Sequence, residues 1–138
     1  MLQVGDRFPV ERLSVQPDGP AVVYFYPAAM TPGCTLESKR FSALYDRFRA
    51  AGYEVIGVST DAGEKNDEFR ATCDLAFSLV SDEEARLTSE LGVLKDYGEY
   101  GWLAQRVTFL LDADGIVQRV WDVTDAEAHP DEVLAAVS

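Results

Sequence analysis

The chain has 138 residues, enough for one domain (1–138) with a buried core, and its 47% hydrophobic and 11% aromatic content excludes a disordered chain. Twelve Lys and Arg against 24 Asp and Glu leave a formal charge of -12, which makes nucleic acid and anionic membrane surfaces poor partners. Two cysteines and one histidine are too few for a multi-bridge disulfide framework or a Cys-rich zinc site, so neither metal nor cofactor is expected.

The first twenty residues read as a small hairpin turning at "QPDG". "AVVYFYP", Ala21 to Pro27, is a buried strand rich in β-branched and aromatic residues. A helix follows from about Pro32 to Ala51, with Phe41, Leu44, Tyr45 and Phe48 on one face and Gly52 closing it. "EVIGVST" (Glu54 to Thr60) is a second buried strand, and Gly63 to Asp74 a polar helix carrying Cys73. A short strand in "FSLVSD" precedes a helix from Glu83 to Gly92. Val93 to Gln105, with two Gly and three large aromatics, reads as a loop whose segment Tyr97 to Trp102 is a candidate pocket border. "RVTFLLDADGIVQRVWD" is two strands about the turn Asp112-Ala113-Asp114-Gly115, and "HPDEVLAAV" a terminal helix. "DADG" also resembles the start of a calcium loop, but the Glu that such a loop needs downstream is missing. Alternating strands and helices, ending in a hairpin, imply an α/β fold: a mixed central sheet flanked by helices, with an N-terminal hairpin extension. No apolar run approaches the roughly 20 residues of a membrane helix, and the N-terminus carries no secretory pattern, so a cytoplasmic protein is expected.

Chemistry concentrates in "YPAAMTPGCT". Thr31 suits an N-cap and Pro32 the first helical position, which puts Cys34 in the first turn. There the helix dipole and free backbone N–H groups favour negative charge, the setting of a reactive thiolate. The plain alternative is a buried, inert cysteine, a common fate for this residue type. His129, in the polar stretch "DAEAHPDE", is not expected to act as a catalytic base.

The same string resembles the peroxiredoxin signature Pro-x-x-x-Thr-x-x-Cys, met here by Pro27, Thr31 and Cys34. "FYPAAMTPGCTLE" is similar to the peroxiredoxin Q, or bacterioferritin comigratory protein, subgroup, and "VIGVSTD", "FSLVSDEE" and "RVTFLLDADG" extend the likeness along nearly the whole chain. The resemblance implies a thioredoxin-like fold and thiol-dependent reduction of hydrogen peroxide and organic hydroperoxides. It implies that Cys34 is the peroxidatic nucleophile and that Thr31 hydrogen-bonds the sulfur and the peroxide. Pro27 would shield the sulfur from water, and Arg106 would hold charge beside it. On the residues alone, Arg106 lies opposite Val107, Phe109 and Leu111 on its strand and could equally be exposed.

A thiolate attacking one peroxide oxygen leaves charge growing on the other, so donors aimed there matter more than ionisation alone. The Gly33 and Cys34 backbone N–H groups, Thr31 and Arg106 are the candidates, with Gly33 small enough to let peroxide reach the backbone. The product is a sulfenic acid. Many members of the subgroup carry a second cysteine five residues on, where this chain has Lys39. Cys73 matches the helix position of a second arrangement and is the candidate resolver, forming an intramolecular Cys34–Cys73 disulfide after local unwinding. The alternatives are a one-Cys peroxidase resolved by an external thiol, a thiol–disulfide oxidoreductase without peroxide chemistry, and a thioredoxin-fold binding module. Thioredoxin or a related dithiol protein is the implied reductant, and a monomer the implied state.

Overall fold

The computed structural model describes all 138 residues. Five strands make the central sheet: β1 (Ala21–Phe25), β2 (Glu54–Ser59), β3 (Ser78–Ser81), β6 (Val107–Leu111) and β7 (Val117–Asp122), in the order β3-β2-β1-β6-β7. β1 pairs with β2 in parallel and β2 with β3 in parallel, whereas β6 runs antiparallel to both β1 and β7. β4 (Leu94–Asp96) and β5 (Trp102–Ala104) form a separate antiparallel ribbon. The helices are α1 (Pro32–Ala43), α2 (Tyr45–Ala50), α3 (Gly63–Thr72), α4 (Arg86–Glu90) and α5 (His129–Val137).

β1 lies at the centre, which is why it reads as an unbroken apolar run: both its faces are covered. Ala21, Val23 and Phe25 join Ile56, Val58, Phe109 and Leu111 beneath α4 and the N-terminal segment. Val22, Tyr24 and Tyr26 face the other way, against Phe41, Phe48, Phe69 and Val133 of the remaining helices. Each of these buried Phe rings contributes on the order of 2 kcal/mol. Tyr24 fixes α1 to the sheet. Its ring stacks on Phe41 at 4.7 Å between centroids, and its hydroxyl and Ser38 Oγ are 2.8 Å apart. Gly57, across from it on β2, makes the room: a Cβ there would sit 2.8 Å from the Tyr24 hydroxyl.

Four local expectations change. The first twenty residues form one short turn at Val10–Arg12, not a hairpin. They lie along the β6–β7 turn through Phe8 N–H to Gly115 O (2.9 Å) and a single Arg7–Ile116 bridge. Phe8 is fully buried there, so burial of its ring against the sheet outweighs the turn chemistry of "QPDG". The helix from Pro32 bends at Leu44, where ψ is 0°, and continues as α2; Phe48 N–H still reaches Leu44 O at 3.1 Å. The helix expected from Glu83 starts at Arg86, because Ala85 is left-handed (φ 56°) and Asp82 Oδ2 accepts from both the Thr88 N–H and its hydroxyl at 2.7 Å. The segment 93–105 holds the β4–β5 ribbon instead of a plain loop. The Asp112–Gly115 turn is as expected; Asp112 Oδ1 accepts from the Asp114 and Ile116 N–H groups, which fixes its carboxylate in the turn.

Candidate active site

The loop after β1 delivers the chain to α1 through Met30, a non-glycine residue at φ 67°. Such a conformation costs on the order of 1 kcal/mol and is held by what surrounds it. On one side of it Ala29 N–H donates to Asp61 Oδ2 at 2.7 Å; on the other Thr31 adopts the extended backbone of an N-cap. The Thr31 hydroxyl does not cap the helix: it donates to Ala28 O at 2.8 Å. The first bond into α1 is Thr35 N–H to Thr31 O (2.9 Å), so the Gly33 and Cys34 N–H groups have no backbone acceptor.

Cys34 is fully buried, in the same cluster as Tyr24, Tyr26 and Phe41. Burial in hydrocarbon alone would match an inert cysteine. Arg106 changes the setting. Its Nη2 donates to Cys34 Sγ at 3.3 Å and its Nη1 to Glu37 Oε1 at 2.9 Å. Arg106 stands immediately before β6, where Val123 N–H donates to its carbonyl at 2.9 Å, and its side chain is 18% exposed. Burial opposes its charge, but Cys34 and Glu37 more than offset that and raise the guanidinium above its ordinary range. Gly33 serves this approach: a Cβ there would stand 3.1 Å from Arg106 Nη2. The room that glycine leaves is bordered by the guanidinium.

Glu37 was not visible as a site residue in the sequence. It is fully buried, and its second oxygen, Oε2, has no hydrogen-bond partner. Burial pushes its carboxyl up to about 7 although Arg106 pulls it down. The signal that finds it is helical spacing: Glu37 is three residues after Cys34 and four before Phe41, a charge on the apolar face.

Pro27 and Arg106 border a cavity of about 560 Å3 with Tyr97, Gln105, Lys95 and Asp122. Tyr97 thus places the aromatic segment at the cavity, whereas Tyr100 and Trp102 point to solvent, 74% and 62% exposed. Cys73 is half-buried at the C-terminal end of α3, where it packs on the apolar cluster that contains Cys34. Both cysteines are free thiols. His129, despite its polar neighbours, is 3% exposed and bonded through Nε2 to Thr108 Oγ1 (2.8 Å) and through Nδ1 to Glu132 Oε1 (3.1 Å). Burial holds its pKa below the usual histidine range. No helix is long and apolar enough to cross a membrane.

The sequence profile of the AhpC/TSA family matches residues 6–120. The chain is similar to a chloroplastic peroxiredoxin Q of Sedum lineare, 43% identical over 116 residues, which cover 83% of this chain and 61% of that one. It is similar to bacterioferritin comigratory protein of Xanthomonas campestris, solved in trapped intermediate and ligand complexes bearing on its alkyl peroxide reduction activity. That match has 40% identity and a TM-score of 0.79, over 87% of this chain and 78% of the other. The peroxidoxin BcpB structure from Mycobacterium tuberculosis superposes with a TM-score of 0.85 at 30% identity, over 99% and 97% of the two chains. The chain spans 52% to 61% of the length of the chloroplastic proteins of Sedum and rice that it matches.

Proposed function

Because the chain belongs to the AhpC/TSA family, within it to the peroxiredoxin Q and Bcp proteins, and has their thioredoxin-like fold, we propose that it is a peroxidase reducing hydrogen peroxide and alkyl hydroperoxides through Cys34. The observation that carries this reading is the 3.3 Å bond from Arg106 Nη2 to Cys34 Sγ, a fixed cation on the one cysteine at a helix start.

The chemistry follows from the geometry. Cys34, as a thiolate, attacks one peroxide oxygen: an S–O bond forms, the O–O bond breaks, sulfur is oxidised by two electrons and the peroxide reduced to alcohol or water. Negative charge grows on the departing oxygen. The free Gly33 and Cys34 N–H groups and Arg106 stabilise it, at a few kcal/mol per preorganised donor. Thr31 has committed its proton to Ala28 O, so its remaining lone pairs accept from the peroxide O–H and orient it. Pro27, with no N–H to hydrate, closes the cavity side against water. Since Cys34 is fully buried, the substrate enters as the side chains around Pro27 and Arg106 open.

Cys73 resolves the sulfenic acid in this reading. Its thiol displaces water from the Cys34 sulfenic acid to give an intramolecular disulfide, which a dithiol protein such as thioredoxin reduces. The end of α3 and the first turn of α1 unwind to bring the sulfurs together. A reducing compartment, the cytoplasm, suits a thiol that must be regenerated each turnover, and the chain works as a monomer. The test is steady-state consumption of several hydroperoxides with a thioredoxin system, for wild type, Cys34→Ser and Cys73→Ser. Loss of turnover in both variants, with a single sulfenic acid formed in Cys73→Ser, is the expected result. Undiminished turnover in Cys34→Ser would overturn the function, and undiminished turnover in Cys73→Ser with thioredoxin would overturn only its role as resolver.

A further inference from the structure

Arg106 is shared. One of its nitrogens is bonded to Cys34 Sγ and the other to Glu37 Oε1, so a single cation faces two groups that can each be anionic. The phenols and the imidazole packed around this point are neutral near physiological pH, and the Asp61 carboxylate behind Tyr26 is bonded to the Ala29 N–H and the Ser59 hydroxyl. From β1 come the phenols of Tyr24 and Tyr26, both pushed far up by burial. From α5 comes His129, held low by burial, and from the segment after β4 comes Tyr97, raised by burial. Lys95 and Asp122 stand at the solvent side of the cavity. A thiolate and a carboxylate together would therefore leave one net buried negative charge, with Glu37 Oε2 anionic and without any donor. A buried charge that lacks a partner costs several kcal/mol, whereas a protonated carboxyl in the same place costs far less.

We propose that Cys34 and Glu37 hold one negative charge between them: Glu37 is a carboxylic acid while Cys34 is a thiolate, and it ionises when Cys34 becomes a neutral sulfenic acid. This rests on the peroxidase reading of the site. The reaction then balances within the protein. Cys34 thiolate, Glu37 carboxylic acid and hydroperoxide become Cys34 sulfenic acid, Glu37 carboxylate and alcohol. The S–O bond forms as the O–O bond breaks, and the proton that Glu37 loses offsets the one the departing oxygen gains through solvent at the cavity. Total charge is unchanged. Arg106 is handed from sulfur to carboxylate, which frees the first turn of α1 for the move toward Cys73. Glu37 acts through Arg106 and is a positioning residue, not one that touches peroxide.

The experiment uses Cys73→Ser protein, which stops at the sulfenic acid, treated with one equivalent of hydrogen peroxide at about pH 8. Burial pushes the Glu37 carboxyl up to about 7, and a thiolate competing for the one guanidinium favours its acid form, whereas a neutral sulfenic acid leaves the guanidinium to the carboxylate. The infrared difference spectrum should lose a protonated-carboxyl carbonyl band in step with oxygen addition to Cys34. The band change should vanish in Glu37→Gln and in Cys34→Ser. A pH indicator in weak buffer should show almost no proton uptake by the Cys73→Ser protein, against about one per sulfenic acid when Glu37→Gln is added. Oxidation of Cys34 with no change in the carboxyl region overturns the shared charge while leaving the peroxidase intact. Failure of Cys34 to oxidise overturns both. Should Glu37→Gln fail to fold, the band loss in the parent and its absence in Cys34→Ser still decide the matter.

Discussion

Removing the Arg106 guanidinium is the most informative perturbation of the site. At the 3.3 Å separation from Cys34 Sγ, an ion pair in an effective dielectric of about 20 is worth roughly 5 kcal/mol. Water entering the vacated space returns part of this, leaving on the order of 3 kcal/mol, or about a hundredfold in rate. Arg106→Met by itself is ambiguous, because it also takes the only hydrogen-bond donor from the buried Glu37 carboxyl, and an unsatisfied buried polar group costs about 1–3 kcal/mol of stability. The clean comparison is Glu37→Gln against Arg106→Met/Glu37→Gln, in which no buried carboxyl is present in either protein. The assay is the second-order rate of reduced protein with hydrogen peroxide under single-turnover conditions, with unfolding curves for both proteins. The double variant should react about a hundredfold more slowly at similar stability. Arg106→Lys should recover only part of the rate, since an ammonium cannot bond Sγ and Glu37 Oε1 in one planar fork. A double variant within about threefold of its reference would refute the role given to Arg106.

Gly33→Ala places a Cβ 3.1 Å from Arg106 Nη2, so the guanidinium must shift by a few tenths of an ångström beside Sγ; the peroxide rate should fall about tenfold with little change in unfolding midpoint. Thr31→Val removes the hydroxyl that bonds Ala28 O, and the rate should fall about tenfold to a hundredfold while Thr31→Ser stays near wild type, both read by the same single-turnover assay. Glu37 makes stability depend on pH. Its pKa is raised on folding from 4.5 to about 7, so its neutral form is the stable one: stability is full below about pH 4.5, falls as pH rises to about 7 and is flat beyond. In a Cys34→Ser background, urea titrations should show Glu37 losing on the order of 3 kcal/mol relative to Gln at that position across this window. A flat difference would mean that the carboxyl is not raised.

What the sequence revealed about the site depended on whether a residue acts through local backbone or through long-range packing. Thr31, Pro32 and Cys34 are legible because an N-cap, a first-turn proline and a first-turn thiol are defined within four residues. Arg106 lies 72 positions from Cys34, and its own strand could not say which way the side chain turns; only likeness to relatives pointed to it. Glu37 is not legible as a site residue because glutamate early in a helix is ordinarily exposed, although the helical period places it between Cys34 and Phe41. The same division runs through the fold. β1, β2 and the Asp112–Gly115 hairpin follow from dense apolar runs and turn chemistry. The β4–β5 ribbon has three-residue strands, too short for alternation to register. His129 looks solvated by its neighbours in sequence, but the Thr108 hydroxyl beneath it satisfies the ring in the core.

The central claim is that Cys34 is the atom oxidised by peroxide. Cys73→Ser protein, given one equivalent of hydrogen peroxide and digested for mass spectrometry with a sulfenic-acid trap, tests it most directly. A single trapped oxygen on the peptide containing Cys34, formed far faster than on an exposed model thiol, is the outcome this account requires. An unmodified Cys34 with the peroxide left unconsumed would contradict it.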